Sequence, residues 1–87
     1  MTPDDEAIAA ALRALAAERA PRTFCPSEAA RRLSAEWRPL MGDMRRVAGA
    51  IGLRATQGGA EVDPVAARGP IRLAAAPRGG RGRPGAG

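Results

Sequence analysis

The stretch from Thr23 to Asp63 most constrains the fold, because its pattern predicts two short helices followed by a tight hairpin. A helix, a second helix and then a β-hairpin is the element order of a winged helix-turn-helix. The chain has 87 residues, enough for one small domain in which every element must contribute to a thin core. We therefore predict an α+β, mainly α fold: a winged helix-turn-helix of three helices with a small C-terminal β-hairpin or sheet.

Apolar spacing and helix-start residues predict the three helices. Carboxylates at Asp4 to Glu6 favour a helix start, and Pro26 is suited to the first position of the second helix, with Glu28 as a cap. The predicted helices run from this acidic start to about Arg19, from Cys25 to Leu33 or Ser34, and from about Arg38 to Ile51.

A two-residue Gly58-Gly59 loop predicts a hairpin, since tight primed turns need positive φ angles. Its strands would be Leu53–Gln57 and Ala60–Asp63, a register that sets Arg54 opposite Asp63 and largely neutralises Arg54. A last short strand over Ile71–Leu73 is expected to pair beside the hairpin. The domain then spans residues 1–76, and the Gly, Pro, Ala and Arg tail at 77–87 is expected to be disordered.

Charge is unevenly distributed along the chain. All 14 basic residues are arginine, which coding bias explains more simply than selection, so arginine position is more informative than arginine identity. Residues 1–20 hold two arginines against four acids, a net −2, whereas residues 21–57 hold seven against three, a net +4. The basic segment therefore coincides with the second and third predicted helices.

The third helix carries the sharpest functional pattern. At about 100° per residue, its apolar side chains cluster on one face, and Gly42 and Gly49 share the opposite face with arginines. A phosphate backbone or another helix could approach closely there, although the same pattern is typical of a solvated charged face. The predicted nucleic-acid-binding residues are Arg38, Arg45 and Arg46, assisted by Arg31 and Arg32 of the second helix.

Catalytic and metal chemistry is not indicated. Without histidine there is no Ser-His or Cys-His pair, and one cysteine cannot build a structural zinc site, so we expect no enzyme, no catalytic residue, no metal and no cofactor. Cys25 is interpreted as a helix-capping or semi-buried residue rather than a reactive thiol. Trp37 is interpreted as a core anchor at the angle between helices.

No apolar run in the sequence is long enough for a signal peptide or a membrane span. Together with the single cysteine, which excludes an internal disulfide, this favours a cytoplasmic protein without a membrane partner.

Several short motifs resemble a small bacterial family filed as domain of unknown function 3253. They are Phe24 to Arg31, Trp37 to Met41, Thr56-Gln57, Val62 to Pro64 and Gly69 to Arg72. The resemblance spans about Ile8 to Leu73 and implies a winged-helix-like, stand-alone bacterial protein with no established activity, substrate or site. This sequence has about one helical turn fewer than the family pattern between Arg46 and Thr56, which predicts a short third helix.

The leading hypothesis is a small winged-helix protein that binds nucleic acid, specifically duplex DNA, through its third helix, with weak and salt-dependent affinity. The alternative is a protein-protein interaction module that uses the same small-residue face for a partner protein. An exposed apolar patch around Met41 would favour the alternative. No small-molecule substrate is indicated.

Overall fold

The fold is α+β and mainly α, with three helices followed by a small three-stranded antiparallel sheet, as the sequence predicted. The computed structural model describes residues 3–76, so the prediction of a disordered tail at 77–87 lies outside the described residues. The helices are α1 (Asp5–Arg19), α2 (Pro26–Leu33) and α3 (Met41–Ala50), and the strands are β1 (Arg54–Gln57), β2 (Ala60–Glu61) and β3 (Arg72–Ala74).

The first two helices start as the sequence predicted. The Asp4 carboxylate accepts a hydrogen bond of 2.9 Å from the Ala7 N–H, which caps α1. Pro26 is the first residue of α2, where a missing N–H is harmless, and the Cys25 N–H donates to the Glu28 carboxylate at 3.1 Å. These local contacts fix where each helix begins.

The third helix is divided at its start. A 3₁₀ turn over Arg38–Leu40 precedes α3, and its first bond runs from the Leu40 N–H to the Trp37 carbonyl at 2.9 Å. Pro39 fits this turn because a helix start does not need its N–H. At its other end, Gly52 adopts a φ of 79° and reverses the chain. The α-helical part is thus ten residues long.

The hairpin has the predicted register, with Thr56 opposite Glu61 and the Gly58-Gly59 turn at positive φ. The predicted pairing of Arg54 with Asp63 is wrong. Arg54 instead lies 3.5 Å from the Glu61 carboxylate. The Asp63 carboxylate accepts hydrogen bonds from the N–H groups of the next turn, and β2 ends before it, ahead of Pro64.

The third strand packs beside the hairpin as predicted, displaced by one residue. β3 pairs with β1, giving the order β2-β1-β3, and Leu73 exchanges two further hydrogen bonds with Phe24, of 2.7 and 2.8 Å. Both of these side chains are fully buried. The core lies between the sheet and the helices; its largest fully buried side chains are Phe24, Ile8, Leu12, Leu15, Met44, Ile71 and Leu73.

Candidate nucleic-acid interface

Part of the predicted binding face of α3 is covered by the connection between β2 and β3, residues 62–71, hereafter the connecting segment. A Cβ atom added at Gly49 would lie 3.4 Å from the Pro64 ring and 3.6 Å from the Val65 side chain. At Gly42 nothing lies within 4 Å. The space that Gly49 leaves is therefore occupied by the connecting segment of the same chain. On the predicted binding face, only the first half of α3 is open.

Arg45 fastens the connecting segment to α3. Its guanidinium donates to the Ala67 carbonyl at 2.7 Å and to the Gly69 carbonyl. The side chain is half-buried. Gln57 in β1 also donates to the segment, at the Pro70 carbonyl 3.1 Å away. Sequence spacing placed Arg45 on the helix surface, but could not show that its acceptors lie more than 20 residues further along the chain.

Arg46 and Arg32 both join α1 to another helix. Arg46 binds both Asp5 carboxylate oxygens, at 2.7 and 2.9 Å, and also reaches Asp43 at 3.2 Å. Arg32 binds both oxygens of Glu18, at 2.9 and 2.7 Å. These hydrogen bonds lower the pKa of Asp5 and of Glu18, because they stabilise the charged carboxylates. All these side chains stay well exposed, so the pairs are surface contacts.

Arg31 and Arg38 lie beside the Trp37 ring. Each guanidinium carbon is 4.6 Å from the ring centroid, within cation-π distance. Trp37 is half-buried and packs against the core, as the anchor interpretation predicted. Among residues 3–76, neither arginine forms an ion pair with a carboxylate. We call this group of three side chains the tryptophan-arginine cluster.

The five predicted site residues thus divide into three environments. Arg31 and Arg38 form the tryptophan-arginine cluster, Arg32 and Arg46 bind carboxylates, and Arg45 binds backbone carbonyls. The sequence analysis interpreted Trp37 as a core anchor alone and missed its contact with both arginines. A tryptophan next to Arg38 was the available signal, but Arg31 is six residues away and only the turn after α2 brings it near the ring.

Other chemistry at the surface is limited. Cys25 is half-buried at the start of α2, with its sulfur 3.0 Å from the Ser27 hydroxyl, which agrees with the semi-buried interpretation. Among residues 3–76, no group of three or more acidic, cysteine or histidine side chains is arranged to hold a metal ion. In the same range, no helix has the length and apolar character needed to cross a membrane.

The fold is therefore that of a small, mainly helical α+β domain with a C-terminal three-stranded sheet. The chain belongs to the family described as "Protein of unknown function (DUF3253)", whose family model matches residues 5–76. This confirms the resemblance carried by the short motifs. A comparison with curated proteins finds no match to the chain.

Proposed function

We propose that this protein is a winged-helix protein that binds duplex DNA through the surface formed by α2, the 3₁₀ turn and the first half of α3. One observation carries the proposal: Arg31 and Arg38 are exposed, lie together beside Trp37, and have no carboxylate partner among residues 3–76. The order of three helices and then a hairpin is compatible with a winged helix.

The tryptophan-arginine cluster suits phosphate contacts. A guanidinium carries five N–H donors in a rigid fork, which matches the geometry of phosphate oxygens. A cation held over an aromatic ring keeps its donors directed outward and loses less side-chain freedom on binding. Arg31 and Arg38 are therefore the principal DNA contacts in this proposal, with Trp37 as the support that positions both.

The other three arginines have graded roles. Exposed ion pairs contribute little to stability, so a DNA phosphate can replace the carboxylate partners of Arg32 and Arg46 at small cost. Arg45 is the least available, because releasing it would leave the Ala67 and Gly69 carbonyls without their donor. Arg54 lies on β1, outside the surface formed by α2, the 3₁₀ turn and the first half of α3, so the proposal assigns the hairpin no principal contact.

A protein partner is the second candidate, but the apolar surface it would need is small. Met41 is half-buried and packs against the core instead of standing in an exposed patch. Within the described residues, the only large hydrophobic side chain that is strongly exposed is Val65, at 63%. A single exposed apolar side chain is ordinary for a protein surface and does not define a docking site.

The test is fluorescence anisotropy of a labelled mixed-sequence duplex, titrated at several salt concentrations with the full-length chain and three variants. The Arg31→Ala/Arg38→Ala variant removes the proposed contacts. Arg13→Ala/Arg68→Ala removes the same charge from exposed positions outside the cluster. A third variant, with Arg78, Arg81 and Arg83 changed to Ala, neutralises the basic tail.

We expect the Arg31/Arg38 variant to bind about tenfold more weakly and to lower the log-log salt slope by about 2, since each phosphate contact contributes about 0.9. The Arg13/Arg68 variant should stay closer to the unmodified chain. The proposal would be overturned if both double variants lost the same amount of duplex affinity, or if neutralising the tail alone abolished binding. Either result would show that this surface does not bind DNA. Capture of a protein partner would then become the next experiment.

A further inference from the structure

A second cationic site lies at the C-terminal end of α1. A cleft of about 410 Å³ opens there, lined by Arg19, Arg22, Thr23 and Arg72. Its volume falls within the range of about 300–1,000 Å³ that is common for small-ligand sites. None of the residues of the tryptophan-arginine cluster lines the cleft, so the cleft and the cluster use different side chains.

The fold builds this cleft from distant parts of the chain. The Arg22 N–H donates to the Arg19 carbonyl at 2.7 Å, which holds the turn after α1 close to the helix end. The Phe24–Leu73 bridge then sets this turn against β3. Because Phe24 and Leu73 both point into the core, the neighbouring side chains of Thr23 and Arg72 point to the outer surface together.

Arg72 and Thr23 are positioned by each other. The Arg72 Nε–H donates to the Thr23 hydroxyl oxygen at 3.1 Å, and a second N–H of its guanidinium donates to the Thr23 carbonyl at 3.3 Å. The remaining guanidinium donors of Arg72 stay available to a ligand. The Thr23 hydroxyl, having accepted from Arg72, retains its own hydrogen to donate.

The cleft keeps a positive charge after its internal ion pair is counted. Arg19 lies 2.6 Å from Glu28, whereas Arg22 and Arg72 form no ion pair with a carboxylate among residues 3–76. The three arginines and Glu28 together carry a net charge of +2. Glu28 has one oxygen on Arg19 and the other on the Cys25 N–H, and both contacts lower the pKa of its carboxyl, with a smaller effect from Arg72.

We propose that this cleft binds the phosphate group of a phosphorylated small molecule, with a diphosphate or a phosphate monoester as the chemical class. Two guanidinium groups without carboxylate partners and a hydroxyl donor converge on one space, and a phosphate offers acceptor oxygens on several sides at once. A carboxylate, with two coplanar oxygens, would use fewer of these donors. The proposal does not depend on DNA binding by the tryptophan-arginine cluster.

The experiment is a titration of full-length, ¹⁵N-labelled protein with inorganic pyrophosphate at constant ionic strength, followed by NMR amide shifts. The Arg22→Ala/Arg72→Ala variant removes the two arginines that lack carboxylate partners. Arg13→Ala/Arg68→Ala is the charge-matched control. Thr23→Val, which removes only the hydroxyl and keeps the side-chain shape, is a milder test that does not change the charge.

We expect saturable shifts centred on Thr23 and Arg72, about tenfold weaker binding in the Arg22/Arg72 variant than in the control, and a smaller loss in Thr23→Val. Equal affinity in the two double variants, or no saturation in the unmodified chain, would overturn the proposal. The duplex titration with the Arg22/Arg72 variant identifies the source of the phosphate: undiminished binding assigns the cleft to free phosphorylated ligands, and weakened binding assigns it to the DNA backbone.

Discussion

The arginines that form ion pairs at α1 and those beside Trp37 are chemically identical but have different neighbours. Among residues 3–76, three ion pairs join α1 to other parts of the fold: Arg19–Glu28, Arg32–Glu18 and Arg46–Asp5. Arg31 and Arg38 instead have an aromatic ring as neighbour. In the last two of these pairs, an acid of the first segment neutralises an arginine of the basic second segment. Segment charge therefore does not indicate which arginines are available to a ligand.

The largest effect should come from Trp37→Ala, which removes the ring beside Arg31 and Arg38. Losing a half-buried ring that packs on the core should lower the free energy of unfolding by about 2 kcal/mol. Because Arg31 and Arg38 lose their common neighbour, duplex affinity should fall as well. Urea unfolding followed by circular dichroism checks the first effect. Trp37→Phe is the control and should retain most of both properties.

Arg45→Ala should have the next largest effect. The change removes the donor to two backbone carbonyls of the connecting segment and should cost about 1 kcal/mol of unfolding free energy. Amide hydrogen exchange within residues 62–71 should become faster, since the segment would lose its attachment to α3. Unchanged exchange would mean that Gln57 and the Pro64 contact at Gly49 suffice to hold it.

Acid should weaken the ion pairs that involve α1. Asp5, Glu18 and Glu28 have a lowered pKa in the folded chain. Their ion pairs therefore stabilise the folded chain at pH values above the ordinary pKa, which is 3.8 for Asp and 4.5 for Glu. That contribution is lost as the pH falls through the lowered folded values. Thermal unfolding measured across this range should show a falling midpoint. Glu18→Gln/Glu28→Gln should flatten the fall.

A Glu6→Gln control serves this acid experiment. Glu6 lies in the first turn of α1 and forms no ion pair within residues 3–76. Its removal should leave the steep part of the profile in place. If the control flattens the profile as much as the double variant does, the overall charge of α1 matters more than its specific pairs.

The smallest effects on stability should come from Arg32→Ala and from Arg31→Ala, which change adjacent positions of α2. Arg32 loses an exposed ion pair, so its variant should be slightly less stable, by a margin that added salt removes. Arg31→Ala should leave stability nearly unchanged and weaken duplex binding more. A reversed ranking of the two in the anisotropy titration would contradict the division between the two groups of arginines.

Local signals in the sequence were sufficient to predict most of the fold. The caps at Asp4 and Pro26 and the Gly58-Gly59 turn each act within a few residues, and all three stand where they were predicted. The partner of Arg54 is an exception that local spacing did not predict. Strand spacing set it opposite Asp63, but that carboxylate finds nearer backbone donors in the following turn.

The candidate site was less predictable, because it depends on contacts between distant segments. Helical spacing identified the surface of α3, yet it could not show that the connecting segment returns to cover Gly49. Nor does any local pattern bring Arg72 beside Thr23, since their contact spans 49 residues. Periodicity predicts which side of a helix faces away from the core, whereas what lies on that side is decided by the path of the chain.

The arrangement of the sheet edges bears on self-association. At one edge, β2 is only two residues long, and at the other, Leu73 of β3 already exchanges hydrogen bonds with Phe24. Short or occupied edges offer a second chain few free backbone groups to pair with, which is how natural sheets limit growth by strand addition. Aggregation of this domain through its β3 edge therefore requires Phe24 to leave the core first, so resistance to aggregation is tied to the integrity of the core.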